Sequence, residues 1–364
     1  MTFFRRMAAV RVLPILVLSL FLSTTGVEAA EHHENDDNTE VFDLKDMIFS
    51  HLSDGYDWHL FTLGEKHVSI PLPVILKSEE RGWFVFMSSR FEHGHASYQG
   101  FQISHSEEYN RKIVEIASNG DEIRPFDLSI TKNVASILMT SIVLLLVFIS
   151  LARGYKKNPL KSRRGFSGTL EMLVLSIYDD VIKPCVGKDY KKFAPYLLTA
   201  FFFIFTSNLL GLIPLFPGGA NVTGNISVTF ALAVCTFLIT NLYGTREYWR
   251  EIFWPDVPIL LKVPIPIMPF VEILGVITKP FALMVRLFAN MMAGHMILLV
   301  LVGLIFIFYG MIGPAVASGV SLLSLFFSIF MLTLDVLISF IQAYVFTMLS
   351  AIFIGLARVE PHSH

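Results

Sequence analysis

From residue 133 onward, long apolar runs alternate with short polar breaks. Five runs can be separated in this way, covering residues 133–152, 194–216, 225–243, 268–309 and 315–357. The hydrocarbon core of a membrane is about 30 Å thick and is spanned by about 20 helical residues, so each of the first three runs fits one crossing. The pattern predicts an all-α polytopic membrane protein with five membrane helices.

The last two runs are too long to cross a membrane upright. Each has roughly forty residues, which is about 60 Å of helix. Such a helix must tilt strongly, or, in the first of the two, bend near Pro280. Between the runs, Gly310, Gly313 and Pro314 favour a break and a reversal of the chain. We expect an antiparallel hairpin of two long and strongly tilted helices.

The first 130 residues follow a different pattern. Residues 1–30 combine three early arginines, a short apolar run and a small-residue end, which is typical of a cleavable signal peptide; a true first membrane helix is the alternative. Residues 31–130 are polar, with short alternating stretches at 58–62, 68–76 and 83–87 that are typical of strands. We predict a small strand-containing extramembrane N-terminal domain without assigned chemistry, and we interpret His32 and His33 as part of a solvated tail rather than a metal site.

Basic residues predict the orientation of the chain. Six Lys or Arg residues lie between 153 and 164, directly after the first run, and loops of this kind stay in the cytoplasm. We therefore expect residues 31–130 to lie outside the cytoplasm, residues 131–358 to form the membrane domain, and residues 359–364 to form a cytoplasmic tail.

Between the first two runs, an apolar face predicts a helix that either lies on the inner membrane surface or binds a partner. That face consists of Leu170, Leu173, Val174, Ile177 and Val181.

Composition and motifs exclude several classes of function. The chain of 364 residues is 54% hydrophobic and 16% charged, with a formal net charge of -2, whereas about 25% charged residues is ordinary for a soluble domain. It has no basic patch interleaved with aromatic residues, so no nucleic-acid partner is expected. Cys185 and Cys235 show no metal spacing, and no phosphate-binding loop motif is found, so we expect no cofactor or metal and no ATP chemistry in this chain.

Polar residues inside the fourth run share one helix face. Glu272, Lys279 and Arg286 recur every seven residues, and Asn290 follows one turn later. Small residues flank this stripe and allow another helix to approach closely. His295 lies two and a half turns beyond Arg286 and is therefore expected on the opposite side.

The fifth run carries a second stripe, formed by Asp335, Ser339 and Gln342. Facing residues of an antiparallel hairpin have a constant sum of residue numbers, and the pairs Arg286 with Gln342 and His295 with Asp335 give nearly the same sum. A charge at membrane depth costs about 2.5 to 3.5 kcal/mol, which calls for an explanation. Either Arg286 pairs with a carboxylate and holds helices together, or these acids and bases form a proton path. We favour the proton path, and we expect Asn208 in the second run to support helix contacts.

At these positions the sequence resembles subunit a of the rotary F-type ATP synthase membrane sector. The motifs are Lys279-Pro280 and the segments at 286–294, 208–214 and 341–344, and the resemblance covers about residues 130–358. In that family the arginine faces a rotating ring of subunit c, whose members each carry one buried carboxylate. An acid/imidazole pair is also common at the positions of His295 and Asp335. The resemblance implies that Arg286 takes the arginine's role, with subunit b, other ATP synthase subunits and membrane lipid as further partners.

The resemblance implies a proton-translocating stator subunit in a bacterial inner membrane, not catalytic by itself. Protons would enter at His295 and Asp335 and leave past Glu272, while Arg286 separates two half-channels and drives deprotonation of the ring. The other members of the site are Gln342 and Asn290, with Lys279, Ser339 and Asn208 in support. The alternative is a self-contained ion-coupled secondary transporter with its site at Arg286. It should show an internal repeat, and none is found in the sequence.

Overall fold

The computed structural model describes residues 54–63, 66–94, 96–104, 106, 109, 111–116, 121–157, 164–213, 218–254, 267–312 and 314–358. The predicted signal peptide, the two histidines at 32 and 33 and the tail at 359–364 lie outside these residues.

Short strands dominate the described part of the N-terminal region, as the alternating stretches predicted. Three small antiparallel sheets have the strand orders β1-β2, β4-β3-β8 and β5-β6-β7. The strands are β1 (Asp57–Leu63), β2 (Lys66–Pro71), β3 (Pro73–Ser78), β4 (Gly82–Met87), β5 (Phe101–Ile103), β6 (Ile113–Ile116), β7 (Glu122–Ile123) and β8 (Phe126–Asp127). The stretch predicted at 68–76 is divided into β2 and β3. Pro71 and Pro73 flank the division, and proline cannot donate to a strand ladder.

One face of the β4-β3-β8 sheet packs into the core of this domain. Val74 and Leu76 of β3 are fully buried against Phe91 and Phe101. Tyr56 joins the same core and donates a hydrogen bond of 2.6 Å from its hydroxyl to the Asp127 carboxylate. Burial and the neighbouring carboxylate raise the pKa of Tyr56, so the phenol stays a neutral donor.

Eight helices make up most of the described chain after residue 131. They are α1 (Lys132–Lys157), α2 (Phe166–Ser176), α3 (Lys183–Val186), α4 (Tyr190–Gly211), α5 (Ile226–Leu242), α6 (Arg246–Phe253), α7 (Ile267–Ile312) and α8 (Pro314–Ala357). Four helical stretches are long and apolar enough to cross a membrane, and α5 with α6, bent by 102°, makes a fifth if the pair counts as one span. Five spans were predicted, so the structure agrees with a mostly helical, multi-pass chain.

The predicted surface helix is packed differently from either expectation. A π-helical segment (Ile177–Ile182) connects α2 to α3, and α4 follows after three residues, so that Phe166–Gly211 is nearly continuous. Ile177 and Val181 are buried, and Ile177 lies in one core with residues of α4 and α8, such as Leu197 and Ile354. The chain's own helices therefore cover this face. Periodicity identifies an apolar face but not the surface that covers it.

The long hairpin is the main feature of the membrane domain. α7 has 46 residues and α8 has 44, which is about 65–70 Å of helix. They are antiparallel, since Lys279 lies over the ring of Phe353 near one end while Gly294 meets Asp335 nearer the turn. α7 continues through Pro280. Each helix is about twice as long as the hydrocarbon core is thick, and its strong tilt in the membrane stays a prediction.

Gly355 of α8 lies directly against the backbone of α3. A Cβ atom added there would overlap the backbone carbonyl oxygen of Cys185, which cannot rotate away. We expect Gly355→Ala to destabilise the subunit by about 1–3 kcal/mol, as overpacking does. Gly319→Ala is the matched control, because it is on the same helix and its Cβ would meet nothing within 4 Å. The measurement is the thermal midpoint and yield of the assembled complex, and equal values for both variants would contradict this packing.

Candidate functional site

Arg286 lies on the outward side of α7. Leu283 and Leu287 are buried on the inward side of the helix, whereas Arg286 and Asn290 are exposed. Three exposed alanines share the outward side, at positions 282, 289 and 293. No residue in the described part of the chain forms an ion pair or hydrogen bond with the Arg286 side chain. The idea that Arg286 pairs with an internal carboxylate as helix glue has no support among these residues.

The polar stripe on α8 is buried. Asp335, Ser339 and Gln342 are each at most 8% exposed. The Ser339 hydroxyl donates a hydrogen bond of 2.7 Å to the backbone carbonyl of Asp335, so its proton is held within its own helix. No hydrogen bond joins Gln342 to Arg286 among the described residues.

The Asp335 carboxylate lies directly against Gly294. A Cβ atom on Gly294 would be only 2.7 Å from Oδ1 of Asp335 and 3.3 Å from Oδ2. The missing side chain is therefore what makes room for this carboxylate. The contact is one residue away from the predicted pairing of His295 with Asp335.

The His295 imidazole faces α4 and the loop that follows it. Its Nε2 atom lies 3.7 Å from the place where a Gly211 Cβ would be, and the carbonyl oxygen of Ala220 lies 3.1 Å from that place. Nε2 is buried and has no hydrogen-bond partner among the described residues. Lys132, at the start of α1, is close enough to act on the imidazole electrostatically. No hydrogen bond joins His295 to Asp335. The Asp335 carboxylate lies against Gly294, the residue before His295.

Further polar groups gather around the same end of α4. The Thr223 hydroxyl donates a hydrogen bond of 2.5 Å to Oδ1 of Asn208, and Oδ1 of Asn221 accepts one of 2.9 Å from the Gly224 N–H. The Nδ2 atoms of Asn208 and Asn221 are buried without a described partner, as is Nε2 of His295. Buried polar groups are nearly always hydrogen-bonded to protein or water. The three nitrogens therefore make this junction a polar region inside the helical domain.

A second polar region lies near the start of α7. Glu272 is close enough to Tyr248 of α6 to act on its phenol electrostatically, and the Tyr248 hydroxyl donates a hydrogen bond of 3.2 Å to Oδ1 of Asn241. Lys279 Nζ lies 5.9 Å from the centre of the Phe353 ring. Tyr248, Asn241 and Lys279 also line a small space between α5, α6, α7 and α8.

The two polar regions lie at opposite ends of α5. The loop beside His295 leads to Asn225, which caps the start of α5, whereas α6 with Tyr248 follows its other end. The 17 residues of α5 correspond to about 26 Å, close to the thickness of the hydrocarbon core. On α7, Arg286 falls between Glu272 and His295. The arrangement offers two separate polar regions with one exposed arginine between them.

Comparison with known proteins identifies the family. Residues 134–355 match the family described as ATP synthase A chain. The chain belongs to this family. Residues 47–128 match a second family, a domain of unknown function named DUF8433, which falls within the predicted N-terminal domain.

Curated relatives give the same result. The chain is 45% identical to ATP synthase subunit a 2 of Chlorobaculum tepidum over 249 residues, which is 67% of either chain. It is 43% identical to ATP synthase subunit a of Chlorobium phaeobacteroides (strain DSM 266) over 65% of this chain and 68% of the relative. It is 40% identical to ATP synthase subunit a of Myxococcus xanthus over 65% of this chain and 76% of the relative.

Membership in the ATP synthase A chain family confirms the resemblance drawn from the motifs. The chain is a multi-pass membrane subunit of the ATP synthase complex and serves ATP synthesis and ion transport. It is not a catalytic subunit by itself.

Sequence reasoning missed the loop around His295. Ala220, Asn221 and Thr223 fall in one of the short polar breaks between two apolar runs, and no role was predicted for them. Gly211 and Gly294 belong to the recognised motifs, and close approach was predicted only for the small residues beside the polar stripe of α7, which include Gly294. The sequence does not indicate which group approaches each glycine. In the structure, Asp335 lies against Gly294, and His295 and Ala220 lie near Gly211.

Proposed function

We propose that this chain is the proton-translocating stator subunit of its complex. It passes protons to and from the carboxylates of a subunit c ring through two half-channels, which Arg286 separates. The observation that carries this proposal is an arginine exposed on an apolar helix, flanked by alanines and without an ion pair among the described residues. A lone charge at membrane depth is costly, so it indicates a function outside this chain.

The uptake half-channel would contain His295, Asp335 and the polar groups at the end of α4. Imidazole loads and releases protons near neutral pH, which suits a relay. The buried and unmatched nitrogens of His295, Asn208 and Asn221 support a hydrogen-bonded route to this point. Asp335 would carry protons in the same half-channel, and Gly294 leaves room for its carboxylate inside the hairpin.

The ring carboxylate would cross the lipid in its neutral form, since a low dielectric disfavours charge. When it reaches Arg286, the permanent positive charge favours ionisation, and the proton is released. Asn290 and Lys279 share the outward side of α7 with Arg286, and Gln342 lies on the facing helix. The small alanine side chains would let the ring helices approach closely.

The release half-channel would run past Glu272 to the opposite membrane surface. Tyr248, Asn241 and Lys279 line space near this carboxylate and support a polar route. Each proton that crosses 100 mV releases about 2.3 kcal/mol. That energy turns the ring only if protons cannot pass directly between the half-channels, and the charge of Arg286 repels them. Proton pumping and proton leak in vesicles carrying Arg286 variants test this role.

The orientation and domain limits are part of the same proposal. Residues 1–30 would be a cleaved signal, residues 31–130 an extracytoplasmic domain, residues 131–358 the proton-channel domain and residues 359–364 a cytoplasmic tail. The basic residues after the first span support this orientation in a bacterial inner membrane. Subunit b and the other ATP synthase subunits would hold the stator in place.

Protease access tests the orientation. A protease added to the periplasmic side of spheroplasts is expected to cut within residues 31–130, for instance in the exposed turn at Glu79 to Arg81. Inside-out vesicles provide the control, in which the same bonds should be protected. Cleavage in the inside-out vesicles and protection in spheroplasts would reverse the proposed orientation.

A further inference from the structure

The β4-β3-β8 sheet has an outer face that is almost entirely apolar. Residues directly opposite each other on neighbouring strands point to the same face. Trp83 and Phe126 flank Lys77 in one row of this face, since both pair with it. Val85 and Leu128 flank Ile75 in the next row, because Val85 pairs with Ile75 and the Leu128 N–H donates a hydrogen bond of 2.9 Å to the Ile75 carbonyl.

A third row completes the face and adjoins the membrane helix. Met87 pairs with Pro73, and the Ile130 N–H donates a hydrogen bond of 3.0 Å to the Pro73 carbonyl. α1 begins two residues later, at Lys132. We call these nine residues the outer sheet face, and eight of them are apolar. They are Trp83, Lys77 and Phe126, then Val85, Ile75 and Leu128, then Met87, Pro73 and Ile130.

This face is exposed although it is apolar. Val85 is 71% exposed, Phe126 60% and Trp83 57%. The opposite face of the sheet already forms the domain core, with Val74 and Leu76 fully buried. An antiparallel sheet outside the membrane normally has one solvated, polar face. A second apolar face therefore indicates a surface that is covered in the working protein.

The polarity of the rows indicates what covers it. The rows nearest α1 are wholly apolar, and the row farthest from α1 contains Lys77, whose Nζ lies 5.7 Å from the centre of the Trp83 ring. Beyond that row, the turn from Glu79 to Arg81 is charged and exposed. α1 itself has exposed apolar side chains along its length, such as Leu138 and Leu145, as expected of a lipid-facing helix. Polarity thus rises with distance from the lipid-facing helix.

Such a gradient is typical of a membrane interface. Tryptophan is enriched at the level of the lipid headgroups, and lysine extends its ammonium from apolar surroundings toward water and phosphate. A face that binds another protein has no need for this order of rows, nor for a wholly apolar row directly before α1. We propose that the outer sheet face rests on the membrane surface, with its apolar rows against the lipid and Lys77 among the headgroups.

A fluorescent probe attached at position 85 tests this proposal. Cys185 and Cys235 are first replaced by alanine, and Val85→Cys is then labelled with an environment-sensitive dye in the assembled complex, reconstituted in vesicles. Glu80→Cys is the matched control, because it is an exposed position in the same domain beyond the Lys77 row. Lipids brominated in their acyl chains are expected to quench the dye at position 85 at least about threefold more than at position 80. Aqueous iodide should show the reverse order.

Two results would overturn the proposal. Equal quenching by iodide at both positions would mean that the face is solvated. Protection of position 85 from both bromolipid and iodide would mean that another subunit covers it. Either result leaves the proton path untouched, since the outer sheet face and Arg286 are tested by separate variants.

Discussion

Arg286→Ala is expected to abolish ATP synthesis coupled to proton flow while the subunit still assembles. Arg286 is exposed, and no described residue is paired with it, so its removal leaves no buried partner unsatisfied. Loss of an intramembrane charge even removes an insertion cost of about 2.5 to 3.5 kcal/mol. The measurement is ATP-driven proton pumping in membrane vesicles, with the amount of assembled complex determined in parallel. Coupled pumping should fall to the background of vesicles without the complex.

The variant Arg286→Lys tests whether any positive charge is sufficient at this position or whether the charge must be permanent. A lysine can lose its proton when it is desolvated, whereas arginine stays protonated. We therefore expect Arg286→Lys to pump poorly or not at all. Arg250→Ala is a control for removal of an arginine, since Arg250 is exposed on α6 beside Glu247, and it should pump normally. Normal pumping by the Arg286→Ala complex would contradict the proposed role.

Gly294→Ala is expected to impair proton uptake with little loss of assembly. The new methyl carbon would lie 2.7 Å from Oδ1 of Asp335, so the carboxylate must move. The obstacle is the end of a side chain, which can rotate at modest cost, whereas a misplacement of about 1 Å in a reacting group can lower a rate by roughly a hundredfold. We expect proton-driven ATP synthesis to fall by about ten- to a hundredfold.

Gly319→Ala is the matched control for this substitution. It makes the same change on the other helix of the hairpin, and its Cβ would meet nothing within 4 Å. ATP synthesis and assembly in this control should equal those of the wild type. Equal activity of the two variants would show that the position of Asp335 against Gly294 does not matter for uptake.

Much of the fold could be predicted because the membrane imposes simple rules. Apolar length predicted a mostly helical, multi-pass chain, and Gly313 with Pro314 predicted that two long helices follow each other in opposite directions, as α7 and α8 do. The register of the two long helices was predicted from the constant sum of residue numbers in an antiparallel hairpin. The contact of Gly294 with Asp335 lies one residue from the predicted pair of His295 with Asp335. The family followed from short motifs in the same helices.

The sequence could not supply contacts that depend on several elements at once. His295 was paired with Asp335 because both lie on the hairpin, but its imidazole faces Gly211 and Ala220 from outside the hairpin. The apolar face predicted between the first two runs was assigned to the membrane surface or to a partner protein. Periodicity alone cannot distinguish such a surface from another helix of the same chain, here α8. The apolar second face of the N-terminal sheet was also missed, because it needs the pairing of three strands to be seen.

Passive proton flow with a blocked ring tests the central claim most directly. Vesicles would be stripped of the catalytic sector, and the ring carboxylates would be blocked with a carbodiimide, so that protons can cross only by passing between the half-channels. Our account predicts that wild-type vesicles are then tight, because the charge of Arg286 bars this passage, and that Arg286→Ala vesicles leak. Arg286→Ala vesicles as tight as the wild type would contradict the role of Arg286 as the barrier between two half-channels.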